Sequence, residues 1–232
     1  MPRTVDVLDA ARMTAATSRE TAFRVSEYFG DAGPFSYGRV RSLTPVLLAG
    51  TMPYAVAVAG LHKIQFDLAR KCNLDVAELV ASCAQFRGRT FYKLKKAVYA
   101  IDRDFSLGIR PETVAVVNGV PHLIFLQPRK NATPWPYNAS FVRRVLEEVY
   151  ADYFEEFRLW LIDTEALEGE ERELRLVDLQ GIPAMSDREF TRRIASLRTA
   201  WRLHLSTPRP KRDRPSKPDD RQTGFGFGDD ES

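Results

Sequence analysis

The dipeptide Asn118-Gly119, which stands between two apolar runs, constrains the fold more than any other feature. Asn and Gly both tolerate the positive backbone φ angles that a two-residue β-hairpin turn requires. Segment 113–117 is rich in valine, and segment 121–126 is an almost continuous apolar run. A strand without polar alternation is buried on both faces. We therefore expect the hairpin to belong to a sheet that is covered on both sides.

Amphipathic periodicity predicts helices on both sides of the hairpin. The predicted helices cover residues 18–29, 61–71, 75–84, 139–156 and 187–205, and two further strands cover 158–163 and 172–177. Segment 87–101 is predicted as a strand or as a helix-to-strand region, while the pattern of segment 46–60 leaves helix and strand open. This order predicts an α/β or α+β fold, in which a mixed sheet of four to five strands is flanked by helices.

The length of 232 residues and the hydrophobic content of 44% predict a substantial buried core. Residues 1–60 are predicted as an N-terminal region of helices and loops that packs on the core. Residues 61–205 are predicted as the α/β core domain. Residues 206–232 contain few apolar side chains, so we expect a disordered tail.

Charge is segregated along the predicted tail. Residues 206–217 carry five bases and one acid, whereas residues 218–232 carry one base and five acids. The tail therefore sums to zero, and the net charge of +3 belongs to the folded part. Its only apolar anchors are Phe225 and Phe227, which predict either a docking peptide for a partner protein or a merely solubilising tail.

Cysteine usage and hydropathy predict a cytoplasmic location. Cys72 and Cys83 do not form a metal-ligand spacing with the three histidines, so we expect two reduced, buried thiols. The longest apolar run, near residues 46–61, is interrupted by Gly50, Pro53 and Gly60. We therefore expect neither a signal peptide nor a membrane partner.

Polar side chains flank the two strands of the hairpin. Glu112 follows Pro111 at the start of one strand, and Gln127-Pro128-Arg129-Lys130 follows the other strand. The two ends of an antiparallel hairpin that are remote from the turn lie side by side. A carboxylate, an amide and one or two cations are thus expected to converge at one edge of the sheet.

This arrangement resembles the PD-(D/E)XK nuclease-like superfamily over about residues 74–163. Pro111-Glu112 stands for the first half of its motif, and Gln127-Pro128-Arg129 stands for the second half. The resemblance implies a restriction-endonuclease-like core with the order helix, strand, hairpin strand, helix, strand. It also implies an Mg²⁺ ion held by Glu112, Gln127 and Glu78 of the preceding helix, with Arg129 or Lys130 stabilising the charge that develops on the scissile phosphate.

The motif departs from the superfamily pattern at three positions. Its first acid is Glu112, its second acid is replaced by Gln127, and its lysine position is occupied by Arg129, with Lys130 one residue later. One carboxylate and one amide make a weak Mg²⁺ site. The sequence therefore leaves open a metal-dependent nuclease, an inactive nuclease-like domain and an unrelated hairpin.

A second segment predicts nucleic-acid binding without catalysis. Residues 66–84 resemble a helix-turn-helix with Asn73 at the turn. The bases that follow are interleaved with Phe91 and Tyr92, and we expect them to bind the phosphates of DNA or RNA: Arg87, Arg89, Lys93, Lys95 and Lys96. An ordinary pair of helices with a solvated basic edge is the alternative.

Overall fold

A computed structural model of the protein describes residues 3–30, 36–129, 137–165 and 171–207. In these ranges the chain forms a three-stranded and a five-stranded sheet, with helices packed against them. This architecture confirms the predicted class, a mixed sheet flanked by helices.

The described helices and strands alternate irregularly along the chain. The helices are α1 (Val7–Met13), α2 (Ser18–Gly30), α3 (Gly38–Ala49), α4 (Tyr54–Val58), α5 (Asp67–Ser82), α6 (Tyr137–Tyr150) and α7 (Asp187–Ser206). The strands are β1 (Arg3–Asp6), β2 (Phe91–Tyr92), β3 (Ala97–Asp102), β4 (Phe105–Ile109), β5 (Thr113–Val117), β6 (Val120–Gln127), β7 (Arg158–Asp163) and β8 (Arg175–Asp178).

The predicted hairpin is confirmed as the pair β5 and β6 of the larger sheet, whose strand order is β2-β5-β6-β7-β8. Asn118 has a φ of 52° and Gly119 has a φ of 84°, so both residues adopt the left-handed conformation that a two-residue hairpin turn needs. Helix α6 then connects β6 to β7. These two strands are parallel, and parallel neighbours require such a crossover.

Both faces of the hairpin are buried, as its composition predicts, in the half remote from the turn, whereas Val116 beside the turn is 44% exposed. Leu123 and Phe125 of β6 face a core shared with α1, α6 and α7, whereas Ile124 and Leu126 face a second core shared with α3, α4 and α5. Successive side chains of a strand point to opposite faces, so one apolar run supplies both cores.

The smaller sheet, with the strand order β1-β4-β3, is absent from the sequence-based prediction. Strand β1 pairs in parallel with β4, about a hundred residues further along the chain. Region 1–60, predicted to contain only helices and loops, therefore also supplies a strand. A four-residue strand whose partner is so distant leaves no local signal in the sequence.

The helix-turn-helix prediction is wrong. Residues 67–82 form the single continuous helix α5, and Asn73, the predicted turn residue, lies within it and is fully buried. Its Nδ2 donates to the Ala69 carbonyl (2.8 Å), and its Oδ1 accepts from the backbone N–H of Val40 in α3 (3.4 Å). These tertiary partners satisfy an amide that would otherwise favour a turn.

Most of the predicted tail lies outside the residues that the structure describes. The tail from residue 208 onward lies outside the described residues, so its disorder and its partner protein remain predictions. Within the described ranges, no helix has the length and apolar character needed to cross a membrane.

Candidate functional site

Two connections between the sheets bring polar residues together. Residues 93–96 lead from β2 of the larger sheet to β3 of the smaller sheet. Residues 110–112 lead from β4 of the smaller sheet back to β5 of the larger sheet. A groove lies where these connections meet the end of β1 and the first turns of α3.

The groove has a volume of about 350 Å³ and carries more positive than negative side chains. Its cations are Arg41, Lys93, Lys96 and Arg110, its carboxylates are Asp6 and Glu112, and Gly38, Ser42, Pro45 and Gly108 complete the lining. Lys93, Lys96 and Arg110 are exposed to solvent. The groove therefore presents a positive surface to anions.

Gly108 allows Lys96 to lie against the face of the smaller sheet, over its central strand β4. A Cβ atom at position 108 would lie 2.5 Å from Cε and 2.8 Å from Nζ of Lys96, and 2.9 Å from Cγ2 of Thr4. Only glycine permits the lysine to approach the backbone of β4 this closely.

Glu112 is a largely buried carboxyl group of the groove with a raised pKa. Its side chain is only 12% exposed, and its Oε1 lies 3.4 Å from Nε of Arg41. Burial raises the pKa of Glu112 to about 7, although the positive charge of Arg41 acts in the opposite direction. The carboxyl group therefore changes its protonation state near neutral pH.

Arg41 links the carboxylates of the groove. It forms ion pairs with Glu112 and with Asp6 (3.2 Å), and its Nη2 donates to the Leu126 carbonyl (3.2 Å). Burial acts to lower the pKa of Arg41, but Glu112 and Asp6 outweigh it and raise the pKa. The guanidinium thus remains charged and holds β1, α3 and the hairpin together.

The structure separates the predicted catalytic residues into two neighbouring clusters. Glu112 directly precedes β5 and Gln127 ends β6, but Gln127 is buried and its Oε1 accepts from the backbone N–H of Arg129 (3.3 Å). The Arg129 Nε lies 3.2 Å from a carboxylate oxygen of Asp9 in α1. Lys130 lies outside the described residues.

The predicted metal ligands do not fit an Mg²⁺ ion. Glu112 is paired with Arg41, and the amide oxygen of Gln127 already accepts a hydrogen bond. Glu78 lines a different groove, together with Met52, Tyr54 and Arg87 among others. In the part of the chain that the structure describes, no group of three or more His, Cys, Asp or Glu side chains could hold a metal.

The five predicted nucleic-acid-binding bases are all exposed, and two of them line the groove beside Glu112. Lys93 and Lys96 line the groove beside Glu112, whereas Arg87 lines the groove that contains Glu78 and donates to the Ala81 carbonyl (2.7 Å). Arg89 and Lys95 are not among the lining residues of either groove. Two members of the predicted basic run therefore lie in the groove, and their binding of nucleic acid remains a prediction.

Sequence reasoning missed Asp6, Arg41 and Arg110. Asp6 and Arg41 come from the N-terminal region, and no motif connects them to the hairpin. Arg110 directly precedes Pro111-Glu112, so the basic residue before the predicted motif was a signal that could have identified it.

Comparisons with known proteins identify only distant similarities. No family model matches this chain, and no curated protein matches it. One similar solved structure is a "putative exonuclease" from Eubacterium rectale, with 12% identity over 95% of this chain and 90% of that chain, and a TM-score of 0.37. Another is SSO0001, with 8% identity over 81% of this chain and 86% of that chain, and a TM-score of 0.32. Because these identities and TM-scores are low, neither structure is used as an argument for the function of this protein.

Proposed function

We propose that this protein binds DNA or RNA through the groove between its two sheets, on a nuclease-like core that has little or no metal-dependent cleavage activity. The observation that carries the proposal is the set of four cations that line the groove: Arg41, Lys93, Lys96 and Arg110. Contacts from lysine and arginine to phosphates provide most of the affinity of proteins for nucleic acid.

The ion pairs within the groove support a binding role. Both carboxylates, Asp6 and Glu112, are engaged by Arg41. The other three cations are exposed and can contact phosphate oxygens. The carboxylates therefore position Arg41, and the exposed cations supply the attraction for a polyanion.

The order of elements supports a nuclease-like core. Helix α5, the β5–β6 hairpin, helix α6 and the parallel strand β7 occur in the order that the PD-(D/E)XK resemblance implies, with strands β2, β3 and β4 inserted between α5 and the hairpin. The acid and the base of the motif are each paired with a partner of opposite charge, Arg41 for Glu112 and Asp9 for Arg129. We therefore expect binding to exceed cleavage.

The binding proposal is tested with two double variants of equal charge. We expect Lys93→Ala/Lys96→Ala to weaken the binding of a fluorescein-labelled oligonucleotide about tenfold at moderate salt, measured by fluorescence anisotropy. The matched control Arg89→Ala/Lys95→Ala removes two exposed cations outside the groove and should retain nearly wild-type affinity. Equal losses in both variants would show that binding depends on charge alone and would refute the groove as the site.

The catalytic part is tested by incubating the same oligonucleotide with the protein and Mg²⁺ or Mn²⁺. We expect the oligonucleotide to stay intact or to be cleaved slowly. Metal-dependent cleavage at an enzymatic rate that disappears in Glu112→Ala would overturn this part of the proposal and assign a catalytic role to Glu112.

A further inference from the structure

The smaller sheet has a solvent-exposed face that adjoins the groove. Val98 and Ala100 of β3 and Thr4 of β1 are exposed, Val98 to 57%. Val98 is paired with Gly108, and paired residues of an antiparallel ladder share a face, which Ala100 shares by alternation along β3. Thr4 lies there as well, because its Cγ2 is 2.9 Å from the position of a Cβ atom on Gly108. We call this surface the outer face, and Gly108 connects it to the groove.

Positive charge is concentrated where the outer face meets the groove. Lys96 lies against the face at Gly108, where a Cβ atom would be 2.8 Å from its Nζ. Lys93 and Arg110 line the same groove, and all three cations are exposed to solvent. The exposed Val98 lies on the outer face opposite Gly108. A ligand that is complementary to this surface therefore carries carboxylates together with apolar side chains.

The chain leaves the described fold at the other end of the smaller sheet. Near the end of α7, Nε1 of Trp201 donates to the Asp104 carboxylate (3.0 Å), and Nε of Arg202 lies 2.8 Å from the Asp102 carboxylate. Asp102 and Asp104 border the turn between β3 and β4. From this turn β4 runs about 10 Å to Gly108, and the remaining residues of α7 extend about 8 Å further. The tail therefore begins roughly 20 Å from the groove.

The acidic half of the tail matches this surface in chemistry and in reach. Residues 208–218 connect it to α7, and a chain of eleven residues spans at most about 40 Å, which exceeds the distance to the groove. Residues 219–231 follow, with the apolar anchors Phe225 and Phe227 and a single base, Arg221. They contain five carboxylates: Asp219, Asp220, Asp229, Asp230 and Glu231. Five acids and one base give this block a net charge of −4, opposite to that of the groove.

We propose that residues 219–231 occupy the groove and the adjoining outer face and thereby compete with nucleic acid; the competition rests on the binding function proposed above. The carboxylates of the tail pair with the three exposed cations, and its phenylalanines cover Val98. Tethering gives the acidic block an effective concentration of roughly millimolar at the groove, so a weak contact is enough to fill it. A groove that is free for between a half and a tenth of the time binds an oligonucleotide about two- to tenfold more weakly.

The competition is tested in the full chain with a labelled oligothymidylate of about 12 nucleotides, by fluorescence anisotropy at low salt. The tail variant removes four carboxylates: Asp219→Asn, Asp220→Asn, Asp229→Asn and Asp230→Asn. The matched control removes four exposed carboxylates that lie outside the tail and the groove: Glu27→Gln, Asp152→Asn, Glu155→Gln and Glu156→Gln. We expect the tail variant to bind about two- to tenfold more tightly than the wild type, and the control to differ from it by less than about twofold.

The same tail substitutions should have little further effect in the Lys93→Ala/Lys96→Ala protein, because the cations that hold the tail are then missing. Equal gains in affinity in the tail variant and the control would show a general effect of net charge and would overturn the proposal. A gain that persists in full without Lys93 and Lys96 would overturn it as well. A gain that requires high protein concentration would place the tail on a second molecule and contradict the intramolecular contact.

Backbone amide NMR spectra test the contact without nucleic acid. The four tail substitutions should shift the resonances of Lys96, Val98 and Gly108, whereas that of Asn73, which is buried in α5, should stay in place. Unchanged resonances at all three positions would refute the contact, even in a protein that binds the oligonucleotide. Shifts at these positions in a protein that binds no oligonucleotide would support the tail contact and remove the proposed binding function.

Discussion

The substitution Glu112→Gln should abolish a specific pH dependence of stability. Glutamine has nearly the same shape as a protonated glutamate, and its amide oxygen can still accept from Arg41, which also keeps its contacts with Asp6 and the Leu126 carbonyl. The substitution therefore removes the titration of a buried carboxyl group and little else.

The sign and the size of the effect follow from the pKa of Glu112. Burial raises this pKa from an ordinary value of 4.5 to about 7, so the folded protein retains a proton that the unfolded chain releases. The stabilising contribution is fully present below pH 4.5 and is lost as the pH rises through about 7. At about 1.4 kcal/mol for each pKa unit, the loss amounts to roughly 3 kcal/mol.

Urea unfolding at pH 5 and pH 8 measures this effect as a difference between two proteins, which cancels the titration of every other group. Near pH 5 Glu112→Gln should be more stable than the wild type by less than about 1 kcal/mol, and at pH 8 by up to about 3 kcal/mol. The control Glu27→Gln makes the same substitution at an exposed position of α2. A Glu112→Gln difference that is the same at both pH values would refute the burial of this carboxyl group as described.

Two further substitutions test how the groove and its supporting helix are built. Gly108→Ala should change the unfolding free energy by about 1 kcal/mol or less, because the new Cβ would meet only the ends of the exposed Lys96 and Thr4 side chains, which can move away. It should instead displace Lys96 and weaken oligonucleotide binding, whereas Gly60→Ala, which meets no atom within 4 Å, should leave binding unchanged; unchanged binding in Gly108→Ala would contradict the close approach at β4. Asn73→Ala should lower the free energy of unfolding in urea by about 1–3 kcal/mol, because it leaves the buried N–H of Val40 near the start of α3 without its acceptor. A decrease of less than about 0.5 kcal/mol would show that the Asn73 amide does not stabilise the fold.

The part of the fold that local chemistry determines could be predicted from the sequence. Asn118-Gly119 identifies the turn because few other dipeptides accept two positive φ angles, and the apolar run after it identifies a strand buried on both faces. The final helix, predicted over 187–205, is observed as Asp187–Ser206, and its Ser186 cap accepts from the N–H of Glu189. Each of these signals lies within a few residues of the element it predicts.

Elements that depend on distant partners could not be predicted in this way. Asn73 was interpreted as a helix stop, but its amide is satisfied by Ala69 and by α3, so α5 continues through it. Strand β1 exists because β4 offers it a parallel edge. Neither the hydrogen-bond partner nor the strand partner is adjacent in sequence, and propensity yields to tertiary contacts in such cases.

In the candidate site, too, residues with a local signal could be predicted and residues that depend on distant partners could not. Lys93 and Lys96 were found from their charge and from the aromatic residues beside them, and Glu112 was found from the hairpin. Arg41, which engages Glu112, lies more than seventy residues earlier on a helix without a motif, so the sequence indicated a free carboxylate where the structure has an ion pair. That single contact changes the expectation from catalysis to binding.

The salt dependence of oligothymidylate binding tests the central claim most directly. For a single strand, the slope of log K against log salt is about −0.7 for each phosphate that the protein neutralises. We expect a linear, negative slope for the wild type and a slope smaller by about 1.4 for Lys93→Ala/Lys96→Ala, while Arg89→Ala/Lys95→Ala keeps the wild-type slope. A slope that the groove substitutions leave unchanged, or an affinity that does not respond to salt, would contradict phosphate binding in this groove.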